Sequence, residues 1–297
     1  MALSERNNIS IAQIALFVPF LFVAVFLCIR HGFGHNAGWL FMIIFSLARL
    51  IGASLQLATI ASPMNLSLFF GSLTLQSIGL SNLILTLLAL INRALESVSK
   101  ARSAIINPRI LRYVQIFVLI GVILGAVGGS LSGNDYAQTG VYKVSALTEA
   151  GVGLTIAGFA LLVITTVVVG VHVSSAEPGE KRLVLAVAVS LPFLFVRVLY
   201  TAIGTYNPHS AFSTLFGNVN VFLGTSVIEE FIIVLIVEAV GVTLQVRPKS
   251  ETTSSSGGPL GFLINRFKRR YDGYEMPARN QQYEMPTRDQ RYEATRV

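Results

Sequence analysis

Residues 66–91 read LSLFFGSLTLQSIGLSNLILTLLALI, a stretch without a single Asp, Glu, Lys or Arg. A helix rises about 1.5 Å per residue, so about 20 apolar residues cover a hydrocarbon core of about 30 Å. The stretch spans that distance with residues to spare. Its apolar positions do not alternate with polar ones, which excludes a strand of a membrane barrel. Six windows of the same kind flank it: Ile11–Ile29 and Trp39–Ile60 before, then Tyr113–Leu131, Ala146–Val173, Leu183–Ile203 and Val219–Val246 after. The first window is longer than a signal-peptide core, and Arg30-His31 follows it where a small-residue cleavage site would stand. It is therefore read as a retained span. The expected fold is all-α: a polytopic membrane protein with seven transmembrane helices over residues 11–246. A short extracellular segment, 1–10, precedes them, and a cytosolic, basic tail, 247–297, follows.

Composition points the same way. Of 297 residues 53% are hydrophobic and 12% charged, the latter about half the share usual in soluble domains. This excludes a disordered or collagen-like chain and argues against a soluble enzyme. The one cysteine, Cys28, excludes an intrachain disulfide framework and a Cys-based zinc site.

Lys and Arg in short loops set orientation. Arg93, Lys100, Arg102, Arg109 and Arg112 lie between spans three and four, Lys181 and Arg182 between five and six, and Arg30 between one and two. The other side holds only Arg6 and Lys143. The amino terminus is thus expected outside and the carboxyl terminus in the cytosol. Asn8-Ile9-Ser10 is a glycosylation sequon on the outer side. The net charge of +7 reflects the cytosolic side, where the tail alone holds 10 of the 22 Lys and Arg, and not nucleic-acid binding.

Charges inside spans are expensive and must face the bundle interior, a cavity or a partner. Arg49 lies in the second span, Arg197 in the sixth, and Glu229, Glu230 and Glu238 in the seventh. Each carboxylate would cost about 2–3 kcal/mol near the bilayer centre. Arg49 and Glu229 fall at matching depths, with Arg197 within reach and Glu149 a further candidate partner. Either these charges pair to lock helices, or they line a polar cavity with Gln76 and Asn82 that binds a ligand or relays protons. Ser72, Gln76, Gly79 and Thr86 share one face of span three, and Ser46, Arg49, Ala53 and Gln56 one face of span two. Interhelical hydrogen bonding accounts for such faces equally well. Gly121, Gly125 and Gly129 form overlapping small-xxx-small repeats, suited to packing within the chain or to a homodimer. Pro192 should kink span six five residues before Arg197.

No catalytic constellation emerges. His31 and His35 are four apart, but two intervening glycines oppose the helix that would aim both at a metal, and no third ligand is evident. There is no P-loop, no nucleophile elbow and no mid-span lysine in the last window for a retinal Schiff base. Neither enzyme activity, metal nor cofactor is expected. The layout of G-protein-coupled receptors is matched, but the acidic-Arg-aromatic and Asn-Pro-x-x-Tyr signatures are absent.

In the tail, residues 248–258 read as a flexible linker. Arg266, Lys268, Arg269 and Arg270 stand among Phe262, Leu263, Ile264 and Phe267, a pattern suited to anionic lipids of the cytosolic leaflet. Repeats of period nine begin at Tyr274, Tyr283 and Tyr292. Polar, Pro-containing repeats bury no core and should be disordered.

Arg49-Leu50-Ile51-Gly52, the run from Leu191 to Tyr200 (LPFLFVRVLY) and the Glu-bearing seventh span together resemble a family of fungal seven-helix membrane proteins with no assigned activity. That family looks like a distant cousin of RTA-like lipid-translocating exporters and Pth11-like receptors. The resemblance covers roughly residues 9–246 and implies the fold and a fungal source, not an activity. Three readings stand: a receptor or sensor binding a small or amphiphilic ligand at Arg49, Gln76, Asn82, Arg197 and Glu229/Glu230; a transporter or lipid-translocating protein; or a structural membrane protein whose charges only lock packing. The sequence does not separate the plasma membrane from an endomembrane.

Overall fold

In the computed structural model, residues 5–32, 37–62, 65–101, 108–173, 178–207 and 218–244 are described. The chain divides into a unit Met1–Lys249 and a second unit Ser250–Val297. The tail, with Arg266, Lys268, Arg269, Arg270 and the repeats, lies outside the described residues, as does His35.

The described part of the first unit is all-helical: α1 (Glu5–His31), α2 (Ala37–Ala58), α3 (Leu66–Ala101), α4 (Pro108–Thr139), α5 (Ala146–Val171), α6 (Pro178–Tyr206), the short α7 (Val219–Phe222), a π-helical segment (Leu223–Ile228) and α8 (Glu229–Thr243). The last three run on as one span, Val219–Thr243. Seven helices are long and apolar enough to cross a membrane.

Most helices overrun the windows set by hydropathy, because polar residues at the interface still continue a helix. Glu5–Ser10 form the first turns of α1, with Asn7 and Ser10 buried and Asn8 exposed. Arg93 is not a loop residue but a buried part of α3. Both internal prolines, Pro19 and Pro192, sit within unbroken helices.

Helix α3 is the central post. It packs against α2, α4, α5 and α6, while α1 closes on α2 and α8. Its apolar window is 72% buried against 17% for that of α4, so hydropathy alone does not tell the centre from the rim. Between α4 and α5 the backbones nearly touch. A Cβ on Gly151 would lie 2.7 Å from the Gly125 nitrogen and 2.8 Å from the Gly121 carbonyl oxygen. The Gly121 and Gly129 repeats are thus used within the chain, Gly121 against α5 and Gly129 against Thr74 of α3. Where α8 ends, Arg30 Nη1 donates to the Val242 carbonyl (2.7 Å) and His31 Nε2 to that of Gly241 (3.3 Å). These two residues of α1 satisfy carbonyls that a helix end leaves open and complement its dipole. His31, stacked on Trp39, is a structural residue here. Among the described residues no group of His, Cys, Asp and Glu could hold a metal.

Candidate functional site

Arg49 of α2, Arg197 of α6 and Glu230 of α8 meet inside the bundle, all three buried. Arg49 Nη2 and Arg197 Nε both donate to Glu230 Oε1, the latter at 2.7 Å. One carboxylate therefore joins three helices. Two guanidiniums against one carboxylate leave a formal charge of +1, since arginine does not lose its proton. Dipoles and rings offset part of it: Arg49 Nη2 also donates to the Gln76 carbonyl at 3.2 Å. The Arg49 guanidinium carbon stands 5.5 Å from the Phe45 ring centre and that of Arg197 5.6 Å from Tyr200, both within cation–π range.

Local sequence explains how the knot is seated. The guanidinium of Arg49 lies against Gly79, where a Cβ would come 2.9 Å from Nη2 and 3.0 Å from Nε and Cζ. Only glycine leaves that slot. On the last span the π-helical turn Leu223–Ile228 immediately precedes the two glutamates. Its extra residue resets the phase of everything after it, and such turns cluster at functional positions. Glu230 points inward as a result, and Glu229, about 100° away, joins no ion pair among the described residues. Glu238, two turns on, is buried without an ion pair, and its Oε1 has no hydrogen-bond partner among the described residues.

The matching depths identified the right pair of helices but the wrong neighbour: Glu230 and not Glu229 takes both arginines. Glu149 is exposed and offers only its backbone carbonyl, to Tyr206. Gln76 and Asn82 are buried as expected, Gln76 touching Arg49 through its backbone while its Oε1 and Asn82 Nδ2 find no partner among the described residues. A second buried pair went unread. Arg93 Nε donates to Glu180 Oε1 at 3.0 Å, joining α3 to the first turn of α6. Arg93 is expected in a loop because it flanks a hydropathy window, and Glu180 lies outside the windows altogether.

Away from the knot, a half-open recess lies between α3, α4, α5 and α6, in two adjoining parts of about 40 and 70 Å³. Neither Arg49, Gln76, Asn82, Arg197, Glu229, Glu230 nor Glu238 lines it. One residue links the two places. Thr201 lines the recess, and its Oγ1 accepts from Arg197 Nη1 at 2.8 Å. The i, i+4 spacing of Arg197 and Thr201 was available in the sequence, but gave no sign that open space lay beyond it.

Seven apolar helices tied by buried charges define a multi-pass membrane protein. Its sequence matches the profile of the domain of unknown function DUF7702 over residues 3–247, and the chain belongs to that family. No curated protein and no solved structure matches it.

Proposed function

We propose that the protein is a receptor- or sensor-like seven-helix membrane protein, without enzyme activity, that binds a small or amphiphilic ligand within the bundle. The observation that carries this reading is Thr201, shared between the recess and the ion knot. A ligand that moves Thr201 alters the partner of Arg197, hence the grip of Arg197 on Glu230, next to a π-helical turn. Such a turn can shift by one residue and gives the bundle a natural two-state element. The binding place in this reading moves from the arginines themselves to the recess beside them. In the same reading the amino terminus is outside, the tail is cytosolic, and Arg266, Lys268, Arg269 and Arg270 rest on anionic lipids of a plasma or internal membrane. The fungal source and the kinship with RTA-like and Pth11-like proteins belong to the proposal too.

The alternative is a transporter or lipid-translocating protein using the recess as one end of a path. Cysteines at Ser77 and Ser81 in a Cys28→Ala background, labelled with an impermeant maleimide in sealed vesicles, separate the two. A sensor reacts from one face only. Reaction from both faces sinks the sensor reading and supports transport. An epitope after Val297, detected only after permeabilisation, tests the orientation.

A further inference from the structure

Glu230 and Glu238 are both buried residues of α8, about two turns apart, and Glu238 is only 3% exposed. Their surroundings differ. Glu230 receives Arg49 and Arg197, whereas no ion pair reaches Glu238 among the described residues. Glu238 Oε1 has no hydrogen-bond partner there either.

The charged groups that neighbouring elements bring toward α8 are engaged elsewhere. Arg49 of α2 and Arg197 of α6 are held by Glu230, and Arg93 of α3 by Glu180 of α6. On α1, Arg30 donates to the Val242 carbonyl and His31 Nε2 to that of Gly241. Glu5 and Arg6 stand at the opposite end of α1, and Lys181 and Arg182 of α6 are exposed. On α8 itself the other carboxylates, Glu229 and Glu230, open the helix two turns earlier.

The buried side of α8 around Glu238 is otherwise apolar. Val234 and Val237 are fully buried, and the Trp39 ring occupies the space that a side chain at Gly241 would take. An ionised Glu238 would be a charge without a counter-charge in a medium that screens little. A carboxyl avoids that state by keeping its proton, which makes it neutral and gives it a hydrogen bond to donate. A proton also needs no cavity, so the close packing around Glu238 is no obstacle to it.

We infer that Glu238 is a proton-binding site within the membrane. It holds its proton in this arrangement of helices and releases it to water, leaving a carboxylate, only when a rearrangement opens the site. The site is independent of the sensor reading, since a transporter would couple to the same proton.

Infrared spectra of the full chain at neutral pH, in dodecyl maltoside because that detergent has no carbonyl group, test it. The carbonyl stretch of a protonated carboxyl should be present in the unaltered chain. It should disappear in Glu238→Gln and persist in Glu149→Gln, where the side chain removed is exposed. Dicyclohexylcarbodiimide gives a second readout, because it captures carboxyls that carry a proton in apolar surroundings. The carboxyl oxygen adds to the central carbon and the proton passes to nitrogen; migration of the acyl group to nitrogen then leaves an N-acylurea with no atom lost. Mass spectrometry should place this adduct on Glu238 of the unaltered chain, a result that needs no variant and stands if Glu238→Gln does not fold. A spectrum without the protonated-carboxyl band, or a band that survives Glu238→Gln, overturns the site.

Discussion

The ion knot and the recess lie on neighbouring faces of α3, and they are built by opposite means. At the knot, Arg49, Arg197 and Glu230 reach across from three helices and converge on one oxygen. At the recess, glycines draw α4 and α5 together, and short hydroxyls line the space among aliphatic side chains. Helix α3 serves both, with Gly79 seating the Arg49 guanidinium and Ser77 and Ser81 lining the recess. Lipid removes the hydrophobic force between helices, which leaves polar bonds and close packing to hold them. The knot relies on the first and fixes three helices. The recess relies on the second and leaves space beside the contact. Charge marks what holds the bundle; its absence marks where something else can enter.

The largest effect should come from removing the shared carboxylate. Glu230→Leu strands two buried arginines, and breaking a buried pair costs about 3–5 kcal/mol. Little monodisperse protein should survive in detergent size-exclusion chromatography. Converting Arg49 and Arg197 to Met alongside Glu230→Leu should recover a folded peak, because well-packed apolar groups replace buried ions at little cost. Failure of the triple variant to recover would mean that the knot does more than offset its own charges.

Arg93→Leu comes next. It leaves Glu180 buried beside α3 and should destabilise by about 3 kcal/mol, read as a lower melting temperature. An equal loss from Arg93→Leu and Glu180→Leu, restored in the double variant, confirms the second pair. Gly79→Ala then probes the seat of the knot: the methyl must displace Arg49, at about 1–3 kcal/mol.

The smallest effects contrast two glycines on the two sides of one interface. Gly151→Ala drives a methyl onto backbone atoms of α4 and should cost about 1–3 kcal/mol. Gly125→Ala points into open space and should stabilise by about 0.5–1 kcal/mol through helix propensity alone. Thermal melts of the two variants should shift in opposite directions. A loss at both would show that no open space exists at Gly125.

Much of this was legible in the sequence. Seven helices follow from seven long apolar windows, because backbone groups in lipid must bond within their own helix. The partners of the knot follow as well, since Arg49, Arg197 and the glutamates cannot remain alone in an apolar medium. What the chain order could not convey was phase. The π-helical turn before Glu229 decides that Glu230 faces inward, and one added residue per turn leaves no trace in hydropathy. Nor could helix length be read: Arg93 counted as a loop charge and Glu180 drew no reading, although α3 and α6 extend past their windows to include both. Local sequence determined which segments enter the membrane and which charges need partners there. Only the tertiary structure decided which carboxylate answers them, through the π-helical turn of the last span, and where the recess beside α3 lies, because both depend on distances between segments far apart in the chain.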